Sequence, residues 1–294
     1  MAIQFKRAVK SQAKARIGLI GPSGSGKTYT ALLLAQAMGE RIAAIDTEHG
    51  SASKYADEFE FDTLELANFH PQNYIDGIKA AGQAGYDVII IDSLSHAWAG
   101  SGGALELADK GALKYSGNRF AAWRDVTPLH NQLIEAMLSS PAHVIATMRS
   151  KMEYIQTQDS KGKTIIRKVG MAPIQRDGME YEFDIVGDLD IDHNLIISKT
   201  RCRALDGVVI NKPGKELAET VKAWLSDGEP LPDKPTEAQT ARMMALVNEL
   251  SLDGSFMARL ISDEYGKGKY NELTQEEAES LNQMLEGMRQ QAAS

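Results

Sequence analysis

Residues 21–28 read Gly-Pro-Ser-Gly-Ser-Gly-Lys-Thr and match the G-x-x-x-x-G-K-[ST] pattern in full. The pattern works only between an incoming strand and an outgoing helix, because its glycines turn backbone N–H groups inward onto an anion at the helix N-terminus. Both flanks are present. Residues 16–20 form an apolar run that reads as a strand, and 27–38 read as a helix closed by Gly39. The spacing assigns Gly21, Pro22, Ser23, Gly24, Ser25, Gly26, Lys27, Thr28 and Tyr29 to a nucleotide such as ATP. Lys27 would reach the β- and γ-phosphates, and the Thr28 hydroxyl would ligate Mg2+.

The following residues repeat the strand–helix alternation. Strands are expected over 41–46, 61–66, 86–92 and 142–148, and helices over 73–84, 104–113 and 121–138, the last with Pro128 as a point of disturbance. Residues 86–92 are nearly all apolar, as in a parallel strand covered on both faces. The expected fold is α/β, with a mainly parallel sheet. After Met148 the texture changes. Residues 152–157 and 164–169 flank Asp159-Ser-Lys-Gly162 as a hairpin, and 185–190 and 195–199 flank a turn at 192–194. These read as antiparallel additions, with a closing helix over 216–225.

Three prolines within residues 227–235 mark a linker. Beyond it, Thr236-Glu-Ala-Gln239 and Thr274-Gln-Glu-Glu277 are capping-box signatures opening apolar-spaced helices, with a third helix over 256–265 between them. The expected organisation is a core over 1–226 with a basic arm at 1–14, a linker over 227–235 and a small all-α domain over 236–294. The methionine-rich stripe of that domain reads as core.

Composition is that of an ordinary globular chain, 43% hydrophobic and 24% charged. The longest apolar runs are too short to span a bilayer. The single cysteine, Cys202, has no internal disulfide partner. With no apolar signal core near residue 1, a cytoplasmic location is expected. The net charge of −8 means that nucleic-acid binding would need local basic patches. Residues 149–178 supply one, with seven basic residues against three acidic ones. Lys151, Lys161, Lys163, Arg167 and Lys168 lie on or near the hairpin with Tyr154 among them. Phosphate neutralisation and base stacking are what single-stranded DNA requires of such a segment. The glycines of Ala99-Gly-Ser-Gly-Gly103 read as a mobile loop and a second point of DNA contact.

Asp92 ends the apolar run Val88-Ile-Ile-Ile91, which places a carboxylate at the carboxyl edge of the sheet, where it can hold the magnesium. Ser93 follows it. The glutamate that many ATPases carry at that position to polarise water is therefore missing, and Glu48, in Ile45-Asp-Thr-Glu-His49, is the candidate base. Lys27, Glu48 and Asp92 form the expected catalytic set, with Thr28 and Asp92 on the metal.

The phosphate loop, Asp-Thr-Glu after the second strand, Asp-Ser after the Walker B strand, Arg-x-Lys after the fourth core strand and Lys-x-Arg near residue 200 resemble RecA-like ATPases. The closer likeness is to bacteriophage AAA-family ATP-binding proteins, including the short RecA-like single-strand annealing proteins. It covers about residues 15–225. The resemblance implies ATP hydrolysis on single-stranded DNA, a homo-oligomer, and a single-strand-binding or other recombination protein as a further partner. It places Thr147 and Arg149 at the sensor position, where RecA has glutamine, and makes Lys199 and Arg201 trans-acting residues that reach a neighbour's ATP. Two other classes fit the loop: an ATP-dependent switch or loader without DNA contact, and a small-molecule kinase using the hairpin as a lid.

Overall fold

The computed structural model describes residues 13–158, 164–228 and 233–293, with only the backbone course given for 152–171 and 292–293. The chain divides into two compact units, Ala13–Asp227 and one built on Gly228–Ser294.

In the first unit, β1 (Arg16–Gly21) leads through the phosphate loop to α1 (Lys27–Met38). Next come β2 (Ile42–Asp46), β3 (Asp62–Glu65), α2 (Pro71–Gln83) and β4 (Val88–Asp92). Three helices follow, α3 (Leu94–Ala99), α4 (Ala104–Ala112) and α5 (Arg119–Leu138), and then β5 (His143–Gln158) and β6 (Thr164–Pro173). The unit closes with β7 (Ile185–Leu189), β8 (Asn194–Thr200), β9 (Val209–Asn211) and α6 (Lys215–Ser226). The sheet runs β3-β2-β4-β5-β1-β7-β8-β9, and β6 pairs with the outer part of β5. The pairs from β3 across to β7 are parallel; β5–β6, β7–β8 and β8–β9 are antiparallel. This is the mixed α/β fold, mostly parallel with antiparallel additions, that the alternation implied.

Helices cover both faces. Leu32, Leu34 and Ala35 of α1 pack with Leu217 and Val221 of α6 against Ile17, Leu19 and Ile90. On the other face, Tyr74, Ile75 and Ile78 of α2 and Leu133 and Met137 of α5 cover Ile89, Ile91, Val144 and Ala146. This explains the unbroken apolar run of β4. Each Leu, Ile, Val or Met among them contributes about 1.5–3 kcal/mol on burial.

Four differences from the sequence reading have physical reasons. Residues 142–148 and 152–157 belong to one strand, which exchanges partners at its middle: Arg149 is the last residue paired with β1, and Ser150 the first paired with β6. The inner half is buried on both faces, so the two halves read differently in sequence. Pro128 does not interrupt α5. The short α3 and β9 were too brief to show a period. Finally, the glycines of 100–103 serve close approach. A Cβ at Gly100 would lie 2.6 Å from the Phe69 ring, and one at Gly103 2.7 Å from the His96 carbonyl. Phe69 N–H donates to the Ser101 carbonyl (3.0 Å) and Gly102 N–H to Glu106 (2.6 Å), pinning the segment.

His143, the first residue of β5, is buried and its Nδ1 accepts the Ala15 N–H at 2.9 Å. Burial, with Lys14 and Arg16 nearby, depresses its pKa to about 4 from 6.5. The unfolded chain takes up this proton between pH 6.5 and 4 while the folded one does not, so stability falls as pH falls through that window. Its full contribution is about 3 kcal/mol. His143→Gln keeps an acceptor but does not titrate; its melting temperature should fall less than the parent's between pH 7 and 4.5. Parallel curves would remove His143 as the cause.

Among the described residues, the second unit holds three α-helices, α7 (Glu237–Glu249), α8 (Gly254–Tyr265) and α9 (Gln275–Ala293). Both capping boxes are made. Thr236 and Gln239 bond reciprocally, and Thr274 Oγ1 accepts the Glu277 N–H at 3.1 Å while Glu277 accepts the Thr274 N–H at 2.7 Å. Leu246, Met257, Ile261, Leu281 and Leu285 form the core, with Met243 and Met288 against it. Among the described residues, no helix is long and apolar enough to cross a membrane.

Candidate nucleotide site

The parallel strands end at one edge, and their register fixes what meets there. Asp46 of β2 pairs with Asp92 of β4, and Gly21 of β1 with Arg149 of β5. A cavity of about 530 Å³ opens at this edge. Its lining includes Gly24, Gly26, Lys27 and Thr28 of the loop, the charged side chains of Asp92, Glu48 and Arg149, and the rings of Tyr29 and Tyr55. Gly24 and Gly26 adopt left-handed φ of +79° and +90°, open to glycine at little cost. The Lys27 ammonium donates to the Pro22 carbonyl at 2.8 Å, folding back over the loop. Burial lowers the Lys27 pKa, while Asp92 and Glu48 act to raise it.

Asp92 is buried, and each of its oxygens accepts a hydroxyl proton: Oδ2 from Thr28 at 2.6 Å and Oδ1 from Thr147 at 2.5 Å. Burial raises its pKa against those two bonds. A carboxylate beside a threonine hydroxyl fits a hard divalent cation that completes its shell with phosphate and water. Among the described residues, no group of three His, Cys, Asp or Glu side chains could hold a metal by itself. Thr147, one of the two residues expected at the sensor position, thus donates directly to Asp92.

Glu48 follows β2 on a turn that Asp46 caps, its carboxylate accepting the N–H groups of Glu48 (2.6 Å) and Ala52 (3.2 Å). Thr47 ties the turn to the end of β4. Its N–H donates to the Asp92 carbonyl at 2.7 Å, and its hydroxyl accepts the Ser93 N–H at 2.7 Å. The Glu48 side chain therefore hangs from a rigid base. Both its oxygens are engaged by Arg149, Nε to Oε1 at 2.9 Å and Nη2 to Oε2. Burial acts to raise its pKa, but the Arg149 bonds and charge outweigh it, so Glu48 lies below the ordinary carboxylate range.

The structure brings Gly24, Gly26, Lys27, Thr28, Tyr29, Glu48, Asp92 and Arg149 around one cavity. It does not bring Lys199 or Arg201 there. The Lys199 ammonium donates to the carbonyls of Glu180 (3.1 Å), Tyr181 (2.8 Å) and Phe183, and Arg201 pairs with Asp184 at 2.6 Å. Lys151 is exposed on β5. Lys161 and Lys163 lie outside the described residues. For Tyr154, Arg167 and Lys168 only the backbone is described; the register sets 154 opposite 168, and 155 opposite 167. Trp98 and Trp123 stack at 5.3 Å on one another. Tyr55 also lines the cavity and meets Tyr29 edge-on at 5.6 Å; it stands outside the phosphate-loop motif, and sequence reasoning gave it no role in the site.

A phosphate loop at the head of a helix, with the Thr28–Asp92 hydrogen bond and the Glu48 carboxylate at the same cavity, is the arrangement of a P-loop nucleoside triphosphatase. The profile of the AAA domain family matches residues 13–228, and the chain belongs to that family. It is a nucleotide-binding ATPase in that general sense. A comparison with curated proteins gives no match.

Proposed function

We propose that this protein is a RecA-like, bacteriophage-type ATPase that hydrolyses ATP on single-stranded DNA during recombination or strand annealing. The observation that carries the reading is Glu48. The carboxylate facing the phosphate loop comes from the strand beside β4, not from the residue after Asp92, which is Ser93. Held on its rigid turn, Glu48 would serve as general base for the attacking water. Asp92 and Thr28 would hold Mg2+, which supplies charge neutralisation at the phosphates. Tyr29 and Tyr55 would offer the base an aromatic wall.

Support for DNA is positional. The β5–β6 hairpin leaves the sheet at the same edge as the nucleotide cavity, beginning immediately after Arg149. Between α4 and the first turns of α5, Leu113 and Phe120 are 83% and 91% exposed, with Lys114 and Arg124 also at the surface. Exposed apolar side chains beside basic ones suit an unpaired strand.

The test is ATP turnover with and without single-stranded DNA, together with binding as a function of salt. Each phosphate neutralised on a single strand contributes about −0.7 to the slope of log K against log salt. Replacing Lys161, Lys163 and Lys168 by Ala should flatten that slope by roughly two units and remove the DNA stimulation, leaving basal hydrolysis unchanged. An unchanged slope with stimulation intact would move the DNA site off the hairpin. Turnover in the parent that ignores DNA altogether would favour an ATP-driven switch.

A further inference from the structure

The turn between β7 and β8 touches the phosphate loop at two points that no motif marks. A Cβ added at Gly21 would lie 2.6 Å from the Leu189 carbonyl, so the end of β7 abuts the start of the loop. Further on, His193 Nδ1 lies 3.1 Å from the carbonyl oxygen of Ser25. A Cβ added at Gly26 would lie 3.2 Å from the same nitrogen. A carbonyl only accepts, so Nδ1 carries the proton and donates it to the loop.

The turn is built to aim that ring. His193 holds a left-handed φ of +62°, and its carbonyl accepts the Lys212 N–H at 2.8 Å. Asp190 Oδ1 accepts the N–H groups of Asp192 (2.9 Å) and Asn194 (2.8 Å), and its Oδ2 accepts from the Asn194 side chain at 2.8 Å. Asn211, from β9, donates to the Asp192 carbonyl and to Asn194 Oδ1. Three segments thus converge to place one imidazole.

What the imidazole controls is a peptide plane. In a planar trans peptide the C=O and the N–H point to opposite sides. With the Ser25 carbonyl turned outward to His193, the Gly26 N–H is turned the other way, toward the cavity that Gly24, Gly26 and Lys27 line. Gly26 has no side chain to resist rotation of this plane, and the buried Ser25 hydroxyl has no hydrogen-bond partner that could hold it. His193 itself does not line the cavity.

We propose that His193 is a positioning residue of the nucleotide site: it locks the Ser25–Gly26 peptide so that the Gly26 N–H is ready for phosphate before nucleotide arrives. Donation to the carbonyl also polarises the same peptide and strengthens its N–H as a donor. The role rests on the nucleotide-binding reading of the loop and adds to it a residue 168 positions away in sequence.

Two variants isolate the hydrogen bond. Gly accepts positive φ freely and has no donor, so His193→Gly keeps the turn and loses the lock. Asn also tolerates positive φ, and its amide nitrogen takes about the place of Nδ1, so His193→Asn keeps a donor. Calorimetric titration with a non-hydrolysable ATP analogue should show His193→Gly binding about 2- to 12-fold more weakly than the parent, the range of one net hydrogen bond. His193→Asn should fall within about twofold of the parent, and kcat at saturating ATP should be similar in all three. In the nucleotide-free protein, the NMR amide signal of Gly26 should move or broaden in His193→Gly and be restored in His193→Asn. Equal affinity of His193→Gly and the parent overturns the proposal. So does equal weakening of both variants, which would make the ring a packing element only. A parent that binds no analogue removes the nucleotide reading itself, and the proposal with it.

Discussion

Glu48→Gln should bind ATP like the parent and lose about 10²- to 10⁴-fold in turnover, the usual worth of a positioned general base. Binding should survive because the glutamine keeps the size of the side chain and the turn beneath it is held by Asp46 and Thr47, not by residue 48. Turnover should not, because an amide cannot take a proton from water. Single-turnover hydrolysis beside equilibrium nucleotide binding measures both. Normal turnover in Glu48→Gln, with Asp92→Asn inactive, would place the base elsewhere and remove the main support for a RecA-like mechanism. The pH profile adds a sign. Arg149 holds the Glu48 carboxyl below its ordinary range, so the base stays ionised as pH falls through that range, and Glu48 should impose no acid limb there.

Lys27→Ala is the second large effect. An ammonium about 4 Å from a phosphate charge at an effective dielectric of about 20 is worth about 4 kcal/mol, or about 10³-fold in rate if it acts on the transition state. The fold should be indifferent to the change, since the Nζ bond to the Pro22 carbonyl lies within the loop itself. Hydrolysis should therefore fall by about three orders of magnitude at an unchanged melting temperature. Retained turnover would detach the chemistry from this loop.

What could be read from sequence was contiguous. The phosphate loop is eight adjacent residues, and Asp92 was legible because a fully buried strand carries its apolar run up to the edge. The capping boxes at Thr236 and Thr274 were legible because four residues specify them. The rest depends on which strands become neighbours. Arg149 meets Glu48 only because β5 and β2 flank β4, and no periodicity in either segment encodes that order. His193 reaches Ser25 because β7 pairs with β1. The Lys199 ammonium serves three backbone carbonyls of its own chain, partners that no sequence spacing marks. Gly100, Gly102 and Gly103 read as flexibility, but they are glycines because neighbouring atoms leave no room for a Cβ.

Strand β5 belongs at once to the sheet and to the hairpin, with no loop between them. Its residues alternate in facing, so Thr147 and Arg149, two apart, share one side of the ribbon. Thr147 holds Asp92 and Arg149 holds Glu48. Asp92 and Glu48, the two carboxylates that line the cavity, are thus hung on the same strand, one pleat apart. A tug or twist applied between Arg149 and the register shift at Glu153/Tyr154 has no loop in which to dissipate. It arrives at both carboxylates together, as a displacement of one body, so the two halves of the site gain or lose their alignment in step.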